Sequence, residues 1–297
     1  MLFFKLLLKN RQALIGLAIL SIFILSALFA PLLAPHDPKR RVGGIHQPPS
    51  AEHILGTTRL GRDIYSQVLH AGRISIAVGL AAGLITTIIA VVTGLSAGYF
   101  GGRIDDVITF CTNVILVIPQ LPLLIVLAAF IGQVSPFLIA MIIGFTSWAW
   151  GSRVIRSQTM ALRQKEFIHS AELMGEASWR IITVELLPNL ISIIGSGFIG
   201  AVIYSIMTQA TLEFIGLGDP SSVSWGTMLY HAQTSSAMWV GAWWDILVPC
   251  VAISLFGAGL ALLNFAVDEI ANPKLRANSA MRRWKKMQKQ IARESQA

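Results

Sequence analysis

The sequence predicts an all-α polytopic membrane protein of six transmembrane helices, with both termini cytoplasmic and a cytoplasmic helical hairpin between the fourth and fifth. Three observations predict it. Of 297 residues, 54% are hydrophobic and 13% charged, and mean hydropathy is +0.66; a soluble domain carries about a quarter charged residues. Six apolar stretches reach the roughly 20 residues a helix needs to cross hydrocarbon. None alternates apolar and polar residues as barrel strands do. Finally, basic residues flank the first span, fill the hairpin and crowd the C-terminus, the pattern of cytoplasmic segments.

Residues 1–11 carry Lys5, Lys9 and Arg11 and are placed in the cytoplasm. The first span, Gln12–Leu33, is too long for the apolar core of a cleaved signal, and Pro31 and Pro35 sit where cleavage would fall, so it reads as a retained anchor. Residues 34–73 form an external segment, Pro-rich and irregular at first, then helical from about Asp63 to Gly72. Lys39, Arg40, Arg41, Arg59, Arg62 and Arg73 run against the charge rule here. Reversing the topology would misplace both termini and the hairpin together. His36, His46 and His53 share this segment and read as solvated loop histidines rather than metal ligands.

A five-helix core covers residues 74–268. Its first member, the second span Ile74–Gly98, contains Gly79/Gly83 and Gly94/Gly98, a spacing that permits close helix packing but is general among membrane helices. The third span, Ile104–Ile131, is interrupted by Pro119 and Pro122. These either kink it for packing or free carbonyls to line a cavity. The remaining spans are Ser135–Val154, Leu190–Phe214 and Ile246–Val267. The connections Gly132–Val134 and Gly216–Asp245 lack Lys and Arg and fit the outside. Few polar groups enter the spans: Asn113, Gln120, Gln209 and Asn264, with Glu213 and Asp268 at span ends. Intramembrane charge marks ion and proton routes. Its scarcity favours a passive-walled pathway gated by an outside energy source, with Asn113, Pro119, Gln120 and Gln209 as candidate lining. The tail, residues 269–297, is basic and suits a cytoplasmic surface near anionic membrane lipid rather than nucleic acid. Met281, Trp284, Met287 and Ile291 fall on one helical face there; the alternative is a frayed, solvated tail.

The hairpin is the most informative stretch. Its loop, residues 156–188, is too long for a turn and too short for a domain. From Met160 to Met174, the residues Leu162, Phe167, Ile168, Ala171 and Met174 make one helical stripe, with Arg163, Gln164, Lys165 and Glu166 interleaved. Gly175 is placed to end that helix. Residues 177–187 give a second short helix, and Pro188 opens the next. Such an elbow either docks on a separate protein and tilts the two spans joined to it, or lies as a plain loop on the membrane. No G-x-x-x-x-G-K-[ST] loop exists in the chain, so nucleotide hydrolysis would need another chain. No catalytic constellation, metal site or cofactor site is legible. Cys111 and Cys250 lie in apolar spans and behave as small hydrophobes.

These residues also resemble a known family. The hairpin is similar to the EAA loop of ABC importer permeases, E-A-A-x3-G-x9-I-x-L-P, with Ala171, Gly175 and Leu187-Pro188 in register. His169 stands where Glu is usual, Ser170 replaces the first Ala, and Glu185 replaces Ile. His53–Ser75 resembles the H-x-L-G-T-D-x-x-G-R-D segment of the dipeptide/oligopeptide/nickel permeases, carrying Gly56, Gly61, Arg62 and Asp63, with Thr58 at the Asp position. Asn113–Pro119 resembles D-x-x-L-x-I-P. Phe214–Gly218, Ser224–Leu229 and Ala271–Arg276 resemble F-L-G-L-G, S-W-G-x-M-L and the D-P-R-L-R ending. The chain is thereby identified as a member of that family, of the shorter, second permease type of its heterodimer.

The resemblance implies a second permease subunit, two cytoplasmic ATPase subunits, an external substrate-binding protein and ATP-driven alternating access in a prokaryotic plasma membrane. It places Arg163, Glu166, His169, Ser170, Ala171, Glu172 and Gly175 at the ATPase contact, making the hairpin a coupling helix. It makes Gly56, Gly61, Arg62 and Asp63 an external scaffold. Peptides or similar small solutes are the expected cargo, with oligosaccharides or nickel as alternatives. A stand-alone carrier or channel would require internal symmetry or buried charge, and a membrane-embedded enzyme a catalytic constellation; none is visible.

Overall fold

Hydrocarbon offers no hydrogen bonds to a backbone, so each apolar stretch must satisfy its own as helix. A computed structural model describes residues 10–132 and 134–271. Its helices are α1 (Arg11–Leu28), α2 (Ala30–Leu33), α3 (Ile64–Phe100), α4 (Gly102–Val117), α5 (Gln120–Ile131), α6 (Pro136–Thr146), α7 (Trp148–Arg163), α8 (Glu166–Leu173), α9 (Ser178–Arg180), α10 (Leu187–Phe214), α11 (Trp225–Thr234) and α12 (Trp244–Ala271). Five segments are long and apolar enough to cross a membrane: Arg11–Leu28, Ile64–Phe100, Pro136–Arg163, Ser178–Phe214 and Trp244–Ile270. A sixth is the pair α4 and α5, bent by 85°. The polytopic all-α class stands. The expected basic N-terminal residues Lys5 and Lys9 and the amphipathic tail beyond Ala271 lie outside the described residues.

Three elements depart from expectation, each for a backbone reason. The third span is two helices, because Pro119 lacks an N–H and sits as the extended N-cap of α5 (ψ 115°), with Pro122 in its first turn. The first span stops at Leu28 rather than Leu33; Pro31 restarts the chain as the one-turn α2. The expected separate helix at 177–187 is instead continuous with the fifth span. Pro188 cannot donate to a carbonyl one turn back, and the backbone widens into a π-helical stretch, Ile181–Leu186. Leu187 N accordingly donates to Ile182 O. Asn189 Nδ2 reaches back to Glu185 O at 2.6 Å.

The hub is α3, which packs on α1, α6, α7 and α10. At 37 residues and 1.5 Å per residue it is about 55 Å long, well beyond the roughly 30 Å of hydrocarbon. Its glycines carry the two main contacts. A Cβ on Gly79 would lie 2.2 Å from Ile206 Cγ1 and one on Gly83 2.6 Å from Val202 Cγ2, both on α10. One on Gly94 would lie 2.8 Å from Ile155 Cβ and one on Gly98 2.6 Å from Thr159 Cβ, both on α7. The generic small-residue spacing is thus two docking faces. Near the N-terminal end of α3, Phe23, Trp225 and Phe256 meet with centroids 5.7–5.8 Å apart. There Trp225 N donates to Ser75 Oγ and its Nε1 to Val68 O.

Residues 34–63 form a folded cap over that end. Asp63 caps α3, accepting from Ser66 N at 2.8 Å, and its other oxygen lies 3.1 Å from His53 Nδ1. His53 and Asp63 are both buried, so the expected solvated His53 is corrected: the carboxylate that caps the helix also recruits the imidazole. Among the described residues no His, Cys, Asp or Glu group suits a metal ion. His46 is also mostly enclosed. Its ring nitrogens are buried with no hydrogen-bond partner among the described residues, and Asp245 is 3.9 Å away.

Burial first, and then Arg59, hold the His46 imidazole below its ordinary value of about 6.5. His46 by itself therefore binds fewer protons folded than unfolded as pH falls below that value, and its contribution to cap stability is lost from there down to the lowered folded value. In residues 42–58, amide protection corrected for the intrinsic exchange rate is expected to fall, relative to His46→Asn, as pH drops below about 6.5. His46→Asn, which tolerates the residue's φ of +48°, should flatten the response.

Candidate functional site

The elbow starts where α7 ends. A continuous helix over residues 160–174 was expected, but the chain breaks at Gln164–Lys165, with Lys165 extended (ψ 145°) ahead of α8. The break folds α8 back, so that Ile168 and Ala171 enter an apolar cluster with Ala90, Tyr99, Ile155, Ile181 and Leu186. Gly175 ends α8 as its pattern predicts. It has φ +79°, donates to Glu172 O at 3.0 Å, and is followed by Glu176 N donating to Ala171 O at 3.1 Å. That is a complete Schellman closure, and its left-handed residue favours glycine.

With Ile168 and Ala171 inward, the opposite face is free. Glu166, Phe167, His169 and Ser170 are exposed, and Leu173 is 89% exposed. Phe167 and Met174, expected on one helical stripe with Ile168 and Ala171, are exposed; the helix ends at Leu173 and Met174 is its C-cap. Trp179, exposed just past the turn, was not singled out in the sequence, though an aromatic in a polar hairpin was the signal. Leu173, Met174 and Trp179 each offer about 1.5–3 kcal/mol if fully buried by a partner.

Within the elbow, Ser170 Oγ donates to Glu166 O at 2.9 Å. Glu172 lies 3.9 Å from Arg163 Nε and 3.6 Å from His169 Nδ1. The Arg163 guanidinium also lies 5.4 Å from the Tyr99 ring centroid. Arg163 thus links the last turn of α3 to α8. These half-exposed contacts contribute under about 1 kcal/mol each, enough to set orientation.

A second tie binds α4 to α7. Arg156 donates Nε and Nη2 to the two Asp105 oxygens at 2.5 and 2.6 Å, and Arg153 Nη2 donates to Asn113 Oδ1 at 2.8 Å. Asn113, a pathway candidate, is therefore engaged by Arg153. Removing the Asp105 carboxylate with Asp105→Asn is expected to destabilise by about 1–3 kcal/mol. A thermal unfolding series on the purified protein checks this, and Asp105→Glu should recover part of the loss.

Between α3, α7 and α10 lies a cavity of about 560 Å³. Thr86, Thr87, Gln120, Ser147, Ser196 and Tyr204 give it hydroxyl and amide groups, and no charged side chain lines it. Gln120 Nε2 donates to Ser147 Oγ at 2.6 Å. Pro119 borders a neighbouring space of about 240 Å³ that shares Gln120 and Ser147. Gln209 lies elsewhere: it is buried near the far end of α10, donating to Glu213 Oε1 at 3.0 Å. Glu213 accepts from Ser224 Oγ at 2.5 Å. Ser224 N-caps α11 in a capping box with Thr227. This helix lies within the 216–245 connection and lacks the usual start signal, since the box uses Thr227 instead of Glu or Gln.

At the cap, Gly56 and Gly61 have φ of +78° and +67°. Gly61 O accepts from both Val42 N and Gly43 N. Arg62 N donates to Thr58 Oγ1 at 3.2 Å, and Asp63 pairs with Thr57 in an isolated bridge. The four scaffold residues are thus brought together in one turn at the start of α3.

An uncharged cavity walled by membrane helices, beside an exposed elbow, defines a transport permease. The chain belongs to the family described as binding-protein-dependent transport system inner membrane component, which matches residues 90–277; residues 2–49 match the N-terminal TM domain of oligopeptide transport permease C. The dipeptide transport system permease protein DppC of Bacillus subtilis is 32% identical over 90% of this chain and 83% of its own length. Its namesake in Alkalihalophilus pseudofirmus is 35% identical over 92% and 90%. The oligopeptide transport system permease protein OppC of Mycobacterium tuberculosis is 32% identical over 93% and 94%. The chain is an inner-membrane permease subunit of an ABC importer.

Proposed function

We propose that this permease forms half of the translocation pathway of an ATP-driven peptide importer and takes its driving force through the elbow. One observation carries the reading: Ala90 and Ile155 belong both to the apolar cluster that roots α8 and to the cavity wall. A close-packed interior transmits displacement, so a partner moving α8 moves the cavity lining. One of two cytoplasmic ATPase subunits grips His169, Ser170 and Gly175, with Arg163, Glu166 and Glu172 around them; Ala171, expected at that contact, is buried and roots the helix in the bundle instead. A second permease subunit completes the pathway, and an external substrate-binding protein delivers cargo. The termini and the elbow lie in the cytoplasm and the 34–63 cap outside, with Gly56, Gly61, Arg62 and Asp63 fixing its shape.

Relatives named for dipeptides and oligopeptides support the cargo. So does a lining without charge, which binds no one side chain strongly and suits a cargo of variable sequence. The test is purification of the tagged permease, reconstitution, and ATP-dependent uptake of a labelled tripeptide. Expected are a co-purifying ATPase and competition by unlabelled peptides. Competition by oligosaccharides or nickel alone would overturn the cargo, and absence of any ATPase would overturn the machine.

A further inference from the structure

The loop between α11 and α12 presents apolar side chains that the bundle does not use. Residues 235–243 read S-S-A-M-W-V-G-A-W and hold no charge. Two helical closures build the loop in succession. Ser236 N donates to Gln233 O and Ala237 N to Ala232 O, with Ser236 at φ +56°. One turn on, Gly241 N donates to Met238 O and Ala242 N to Ala237 O, with Gly241 at φ +79°. Ala237 and Ala242 are buried roots, while Met238, Trp239 and Val240 project, Trp239 at 92% exposed. A left-handed residue other than glycine costs about 1–2 kcal/mol. The surroundings therefore hold this presentation against a local penalty.

The neighbouring surface says what covers it. Trp243 is exposed and starts a stripe that continues through Leu247, Val251 and Leu255, four residues apart along α12 and all exposed. One apolar surface thus runs from the outer wall of a membrane helix onto the loop without a charged interruption. The nearest carboxylate, Asp245, is 3% exposed and turned toward His46.

We propose that Met238, Trp239, Val240 and Trp243 are a membrane anchor, inserted at the boundary of headgroups and acyl chains in the outer leaflet. An indole suits that depth, with an apolar body and one N–H for the wet side. The anchor sets the height of the cap, because the adjoining Trp244 Nε1 donates to Thr57 O at 3.4 Å. Assignment to the outer leaflet rests on the orientation proposed above.

The test uses the complete transporter, otherwise free of cysteine, in lipid vesicles. Trp239→Cys and, as a control on the same side, Ser221→Cys carry an environment-sensitive fluorophore. The label at 239 is expected to emit to the blue, to be quenched by lipids bearing a nitroxide at the headgroup or upper acyl chain, and to show a lower iodide quenching constant than 221. Equal iodide quenching at the two positions overturns the anchor. Shielding from iodide without nitroxide quenching overturns it in favour of the second permease, and shielding that appears only on adding the binding protein does so in favour of that partner. Orientation is read separately, from reaction of Ser221→Cys with an impermeant maleimide on intact cells. If 221 reacts only after lysis while 239 is still quenched by nitroxide lipid, the orientation fails and the anchor stands, in the other leaflet.

Discussion

Gly175→Pro is expected to abolish ATP-driven uptake while leaving the chain inserted in its membrane. Gly175 sits at φ +79°, and proline is locked near −65°. Proline also removes the N–H that Gly175 gives to Glu172 O. The Schellman closure must open, at about 3 kcal/mol or more. Crowding plays no part, since a Cβ at this position meets nothing within 4 Å. Gly175→Ala therefore isolates the conformational effect. It keeps the N–H, carries a left-handed penalty of about 1–2 kcal/mol, and should retain most uptake.

Insertion is spared in both variants because the spans are held by apolar length and by the α3 glycines, remote from the turn. On the coupling proposed above, uptake falls because Met174 and Leu173, which precede the turn, no longer present one surface with Trp179 beyond it. The readouts are uptake, expected to fall more than about tenfold for a loss of over 1.4 kcal/mol in docking, and ATP hydrolysis, expected to lose its stimulation by loaded binding protein. Stimulated turnover at the normal level in Gly175→Pro would remove the lever from the mechanism.

The parts of this chain legible in sequence were those set by length and by local backbone chemistry. Apolar runs located the spans, since only a helix satisfies their backbone in lipid. Gly175 was readable because a glycine after a helical stripe has few other uses. Tertiary demands hid the rest. Residues Gln164 and Lys165 carry no helix-breaking signal; the chain breaks there because Ile168 and Ala171 must reach Ile181 and Leu186. The π-helical stretch follows from Pro188, but whether a proline kinks, breaks or widens a helix depends on its neighbours: Pro119 gives an 85° bend, while Pro188 leaves one continuous rod. His53 looked solvated in a Pro-rich segment, and only the fold brings it to Asp63. At the site, Gln120 and Gln209 were indistinguishable as polar residues in spans. The first faces the cavity and the second is spent on Glu213.

Valine at Gly83 is expected to be harder to rescue than valine at Gly79, although the clash at Gly79 is shorter. A Cβ on Gly79 meets side-chain atoms of Ile206, at 2.2 and 2.8 Å. A side chain can be cut back, so Ile206→Ala should restore much of the folded yield of Gly79→Val. At Gly83 the Cβ meets Val202 Cγ2 at 2.6 Å, and behind it the Val202 backbone N and Cα at 3.1 and 3.2 Å. Val202→Ala removes the first contact and leaves the other two, so the rescue should be weak. Overpacking typically costs about 1–3 kcal/mol, and here relief requires α3 and α10 to separate along their length. α10 carries the wall of the cavity at one end and the Glu213–Ser224 tie to α11 at the other. Folded yield by size-exclusion of a fluorescent fusion, with and without the second substitution, separates the two sites. Equal rescue at both would mean that side chains, and not backbone approach, set the distance between these helices.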